Sequence, residues 1–290
     1  IRDLVRSRGL GDVYKRQKWC WFSRGIGGKT ALDYLIKVKE LPFTEAVERI
    51  VGRVAERSPV FHARAQPEKP KTLLLPPKSN SSTRVIAYLK SRGIDGGLIE
   101  QCIRSGQLYE SLPYHNAVFV GMDRNGTPRY ACLRGIGTDF KGEATGSDKR
   151  FSFALPATGE SRMLCVFESA IDLLSYATMA QAGGLSWRSQ HLLSLAGVYK
   201  PQKETQEHRL PLALTQYLKD HAEIKTICLC LDNDMTGRSA TEAIRQQLAE
   251  RYKVASAFPR QGKDYNDWLC IRMGLQPAKE NPMTERSFAR

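Results

Sequence analysis

No apolar run in this 290-residue chain approaches the ~20 residues of a helical membrane span. The amino terminus also lacks the apolar core of a signal peptide. Cysteine is scarce and scattered: Cys20, Cys102, Cys132, Cys165, Cys228, Cys230 and Cys270. An odd number, with three in apolar strands, argues against a disulfide framework and fits a reduced, cytoplasmic protein. Cys228 and Cys230 share one strand face, and no second pair completes a tetrahedral zinc site, so they read as core. The five histidines form no spaced pair, which leaves histidine-based hydrolysis unsupported. Acid is the minority charge, with 30 Asp and Glu against 44 Lys and Arg, a net +14. Such a surface attracts phosphates, although charge alone leaves a basic protein without a nucleic-acid partner open.

Residues 1–17 have no clean period and resemble translated sequencing adapter, so they are read as a non-native leader. They carry +3 of the charge, leaving +11. Next, Trp19-Cys20-Trp21-Phe22 forms a short aromatic strand, followed by a glycine-rich turn. A helix then bears Ala31, Leu32, Leu35 and Ile36, and a second one is expected to be capped by Thr44. Gly27-Gly28-Lys29-Thr30 imitates the end of a phosphate loop but lacks its first glycine and a preceding strand of normal length. The proline-rich stretch 55–82 reads as a linker. Two short helices follow. Then two strands, Ala117–Met122 and Pro128–Leu133, flank the hairpin turn Asp123-Arg124-Asn125-Gly126. A polar glycine-rich segment carries Arg134, Lys141, Lys149 and Arg150. A solvated charged loop accounts for any one of these residues as well as a phosphate contact does.

The second half alternates strand and helix, with strands apolar enough to be covered on both faces. Met163–Phe167 leads into Glu168, with Asp172 one helical turn on. Thr226–Leu231 leads into Asp232-Asn233-Asp234, with Gly237 and Arg238 behind. Lys253–Phe258 leads to Gly262-Lys263-Asp264-Tyr265-Asn266-Asp267. Each cluster has a plain alternative. Glu168 suits a helix amino terminus, Asp-Asn-Asp suits a turn, and Lys263 suits solvent. Together, carboxylates at successive strand ends fall on one sheet edge, where open α/β folds place their sites. Crowded carboxylates there call for a hard divalent cation.

This order of clusters resembles the Toprim domain shared by bacterial primases, topoisomerases and some nucleases. The preceding segment is similar to the DUF3991 domain of primase-like proteins of bacterial mobile elements. Residues 18–54 resemble the primase zinc ribbon, with Trp21 and Arg24 where its last two cysteine ligands would stand. No zinc is therefore expected. The resemblance implies an α/β Toprim fold, Rossmann-like, with a mainly parallel sheet and helices on both faces. A smaller α+β domain and a degenerate ribbon precede it. The expected organisation is leader 1–17, ribbon 18–54, linker 55–82, DUF3991-like domain 83–160, Toprim domain 161–272 and tail 273–290. It implies a primase-like nucleotidyltransferase with catalytic Glu168, Asp232 and Asp234. Mg²⁺ or Mn²⁺ would be held by Glu168, Asp172, Asp232, Asp234, Asp264, Asn266 and Asp267. Arg134, Lys141, Lys149, Arg150, Arg238 and Lys263 would meet nucleic acid or nucleotide. Single-stranded DNA, nucleoside triphosphates and a helicase or relaxase are the implied partners, in the replication or transfer of a mobile element. A metal-dependent nuclease and a non-catalytic DNA-binding accessory protein remain open. Nothing here fits a topoisomerase, since there is no large gate domain and no tyrosine can be singled out as nucleophile.

Overall fold

The computed structural model describes residues 19–21, 26–28, 30–55, 72–197 and 210–277. The expected leader, Arg24, residues 56–71 of the expected linker and residues 278–290 of the expected tail lie outside this set. The chain divides into two compact units, 1–68 and 69–290.

In the first unit, β1 (Trp19–Trp21) pairs antiparallel with β2 (Ile26–Gly28). α1 (Ala31–Lys37) starts in a capping box, with Thr30 and Asp33 each accepting the other's backbone N–H. Two orphan donors of the first turn are thereby satisfied. α2 (Phe43–Ala55) begins one residue ahead of the expected Thr44 cap. The Ala46 N–H donates to the Pro42 carbonyl at 2.9 Å, so Thr44 lies within the first turn.

The second unit opens with an extended segment that sequence reading assigned to the linker. Residues 72–79 run against an antiparallel sheet instead. Leu74 N–H donates to Thr145 O, Ser79 N–H to Glu110 O, and Leu112 N–H to Pro77 O. Proline fits such an edge because it has no N–H to leave unpaired. The sheet itself has the order β3 (Leu108–Glu110), β4 (Ala117–Met122), β5 (Pro128–Arg134), β6 (Lys141–Glu143). Helices α3 (Thr83–Ser91) and α4 (Gly96–Arg104) pack beside it.

A second sheet is mainly parallel. Its strands are β7 (Ala154–Leu155), β8 (Met163–Phe167), β9 (His191–Ser194), β10 (Thr226–Leu229) and β11 (Lys253–Ser256). Their spatial order is β11-β10-β8-β9-β7, and only β7 runs antiparallel. The helices are α5 (Ala170–Ala182), α6 (Leu212–Asp220), α7 (Met235–Leu248) and α8 (Tyr265–Arg272).

Strand period 2 sorts the side chains into two cores. Leu164, Val166, Leu193, Ile227 and Leu229 join Leu214, Leu218, Ile244 and Leu248 of α6 and α7. Cys165, Phe167, Leu192 and Cys230 face the other way, onto α5 and α8 and onto Val85, Leu89, Ile99 and Phe119. Burying each large apolar side chain contributes about 1.5–3 kcal/mol. One expectation changes here. β11 is a largely exposed edge strand rather than one covered on both faces, and its Lys253 suits an edge that must not recruit another strand. β7, from the upstream segment, adds to the sheet of the downstream one, and residues of both segments pack into one of the cores, while β3–β6 form a sheet of their own.

Candidate metal and nucleotide site

β8 delivers Glu168, and Ser169 then caps α5. The Ser169 hydroxyl accepts the Asp172 N–H at 3.3 Å and donates to Asp172 Oδ2 at 2.5 Å. Beyond β10, Asp232 follows Leu231. Its N–H donates to Glu168 Oε1 at 3.2 Å, which ties two adjacent strand ends together. Asp234 caps α7 by accepting the Gly237 N–H at 2.8 Å. Asp264 caps α8 by accepting the Asp267 N–H at 2.7 Å. The last two loops are joined by Asn233 N–H donating to Lys263 O at 2.7 Å, and by the Lys263 ammonium 3.6 Å from Asp234 Oδ2. Three helix amino termini thus converge on the acidic cluster. Their partial positive ends soften its repulsion and favour an added anion such as phosphate.

Gly237 is required by this close approach. A Cβ there would stand 2.3 Å from Asp232 O and 2.8 Å from Glu168 Oε1.

The electrostatics are those of a crowded acidic site. Burial, with Asp234 and Asp172 nearby, raises Glu168 to about 7 against the Asp232 N–H and Lys263. Burial raises Asp232 to about 8, with repulsion from Asp172, Glu168 and Asp264. Asp264 rises to about 7, by burial first and Asp172 second. Asp172 is raised too, mainly by burial, although Ser169 and the Asn266 N–H favour its charge. The donor set is all oxygen, partly buried and short of countercharge, which fits Mg²⁺ or Mn²⁺. Among the described residues, two groups bring three ligand atoms within 4.8 Å of one another, and neither is the carboxylate cluster: Cys165, Cys228, Cys230, and His191, His221, Glu223. The carboxylates are spread wider, as suits a hard ion that keeps waters and takes phosphate oxygens.

A stability prediction follows for metal-free protein. Raised native pKa values favour the fold below the ordinary carboxylate range, and that contribution is lost as pH climbs through about 7 to 8. Thermal melts in chelator should give a lower Tm at about pH 8 than at about pH 5, with the gap narrowed by Mg²⁺. Asp232→Asn should flatten the dependence. An equally steep curve in that variant would show that other groups cause it.

Two expected ligands occupy other roles. Asn266 is buried, its Oδ1 accepts from Arg92 Nε at 2.8 Å, and its Nδ2 donates to Arg92 O and Ser175 Oγ. Its carboxamide binds the seam between α3, α5 and α8, which argues against its use as a metal ligand. Asp267 Oδ2 accepts the Lys263 N–H at 3.0 Å and closes its own loop.

The basic residues separate as well. Arg134 and Lys141 line a cleft of about 370 Å³, together with Tyr130, Ser169, Ser194 and Ala196. Arg150 is forked onto Asp148, whose carboxyl it holds below the usual range, and Lys149 pairs with Glu143 at 2.9 Å. Arg238 lies over the Phe258 ring and donates to Asn233 Oδ1. Arg92 escaped sequence reading. Its charge favours ionised Asp172 and Asp264 from across the core, and nothing local in the sequence of a helix carboxyl end announces that contact.

Residues 165–269 match the Toprim-like family, and residues 87–159 match a protein family of unknown function, DUF3991. An uncharacterised Bacillus anthracis protein is 24% identical over 79% of this chain and 66% of its own length. A 65 kDa protein of Zymomonas mobilis is 26% identical over 69% of this chain and 33% of its own. The chain therefore spans less than two thirds of either relative. Among solved structures, the primase fragment of the bacteriophage T7 primase-helicase aligns at 20% identity over 73% of this chain and 80% of that one, with a TM-score of 0.44. The zinc-binding and RNA polymerase domains of the Aquifex aeolicus primase align at 16% identity, over 89% and 71%, with a TM-score of 0.41.

Proposed function

From a chain that carries a Toprim-like domain behind a DUF3991 domain, we propose a primase-like nucleotidyltransferase that acts on single-stranded DNA with Mg²⁺ or Mn²⁺. The observation that carries this reading is the cleft. Arg134 and Lys141 line it together with Glu143 and with Ser169, the residue after Glu168. A triphosphate held by the two cations would lie near the carboxylates that would hold metal.

Asp232 and Glu168 are the principal ligands in this reading, completed by Asp264 and by the Asp234 oxygen that does not cap α7. The bound ion supplies charge neutralisation on the phosphates and leaving group. Arg134 and Lys141 orient the triphosphate. As an alternative to ligation, Glu168 would accept the proton of the attacking hydroxyl. Lys263 and the amino termini of α7 and α8 favour negative charge on the same side. Replication or transfer of a mobile element is the proposed setting.

The test is incubation with single-stranded DNA, Mg²⁺ and labelled nucleoside triphosphates. Template-dependent oligomers are expected, and Arg134→Ala should raise the nucleotide KM more than it lowers kcat. Shortened template would indicate a nuclease, and binding without product an accessory role. Either outcome rejects the proposal.

A further inference from the structure

The sheet edge opposite the carboxylates holds a second group of ligand-type side chains. His191 opens β9, and His221 and Glu223 lie in the turn between α6 and β10. They sit at strand starts, whereas Glu168 and Asp232 follow strand ends. A four-residue strand of about 13 Å therefore separates the two places.

The geometry is that of an open metal site. His221 Nδ1 is 3.0 Å from Glu223 Oε1, and His191 Nε2 is 3.9 Å from the same oxygen. The ligand atoms of all three residues lie within 4.8 Å of one another. Tetrahedral bonds of about 2.0–2.1 Å place neighbouring ligand atoms roughly 3.3–3.4 Å apart, and the two measured separations bracket that value.

A second observation is independent of proximity. The His191 side chain is 4% exposed, and among the described residues its Nε2 has no hydrogen-bond partner. A buried ring nitrogen left without one costs free energy. His191 Nδ1 lies 3.0 Å from the Tyr217 hydroxyl and accepts the Ala157 N–H at 3.5 Å. Ligation through Nε2 would move the ring proton to Nδ1, where the Tyr217 hydroxyl can accept it as the outer partner of a metal-bound histidine. Glu223 is half-exposed, which leaves an approach for the ion and a fourth position for water.

We propose that His191, His221 and Glu223 form a binding site for one zinc-type divalent cation, separate from the carboxylate site and independent of its function. Imidazole with one carboxylate selects zinc-type ions over Mg²⁺. The ion would clamp the start of β9 to the turn before β10.

The test is a Co²⁺ titration of the full chain, in excess Mg²⁺ to occupy the carboxylates, followed by Zn²⁺ displacement. One ion per chain is expected, with visible bands of four-coordinate nitrogen and oxygen ligation. His221→Ala and Glu223→Ala, at more accessible positions than His191, should each weaken it by about a hundredfold or more while keeping the wild-type circular dichroism. Unchanged affinity in both variants overturns the proposal. So does a spectrum dominated by thiolate-to-cobalt charge transfer, which would assign the ion to cysteines, and so does the absence of binding.

Discussion

Asp232→Ala is expected to lower metal-dependent oligonucleotide synthesis by about a thousandfold and to leave the protein folded. Asp234 and Asp264 each spend an oxygen capping a helix, whereas Asp232 caps none. Its side chain therefore carries little of the local structure. Its native carboxyl, raised to about 8, is disfavoured as an anion by burial and by three neighbouring acids. Removing it should raise the Tm in chelator near pH 8. Single-stranded DNA binding should largely persist, because the substitution removes an acid and none of the cations that would meet phosphates. Asp234→Ala makes a useful contrast. It loses activity and also the α7 cap, at a cost of about 1 kcal/mol. Activity, calorimetry and DNA binding on the two variants check this together. Near-normal synthesis by Asp232→Ala would remove the carboxylates from the mechanism.

The second large effect is expected from one methyl group. At an ordinary helical position, Gly→Ala stabilises by up to about 1 kcal/mol. Gly237→Ala should do the reverse. The new Cβ meets a backbone oxygen at 2.3 Å and the Glu168 carboxylate at 2.8 Å, so α7 must shift or Glu168 must turn away. A stability loss of about 1–3 kcal/mol is expected from the overlap. Activity should fall further than stability does, because the shift pulls Glu168 from the Asp232 N–H. A Tm equal to or above wild type, with full activity, would show that the contact relaxes freely.

Much of this was legible in the sequence. The bounds of β8 and α5 follow from an apolar run and a serine cap, and all three acidic clusters lie at strand ends or helix caps. The residues that misled did so for identifiable reasons. Asn266 sits in the third cluster by spacing, but its amide is consumed by Arg92, 174 positions away. The His191 and His221 rings lie 4.7 Å apart in space and 30 positions apart in the chain, joined only by the return of α6 to the sheet. Cys165 completes a thiol trio because β8 and β10 pair in register, Cys165 opposite Cys228. Such encounters between distant segments leave no local pattern. Residues 72–79 read as linker because an extended strand edge and a free linker share one composition.

The strand exchange at β7 bears on how such proteins are cut and inherited. The two family matches meet between residues 159 and 165, which looks like a seam for recombination or for a truncated fragment. Ala154–Leu155 nevertheless pairs with Leu192 and Leu193 on the far side of it. Phe153 and Phe119 pack edge to face in the core that also holds Phe167. A fragment starting at the seam would leave the β9 edge without its partner and half a core facing water. The two segments should therefore unfold as one unit, and lineages that carry this sheet order should lose or gain them together.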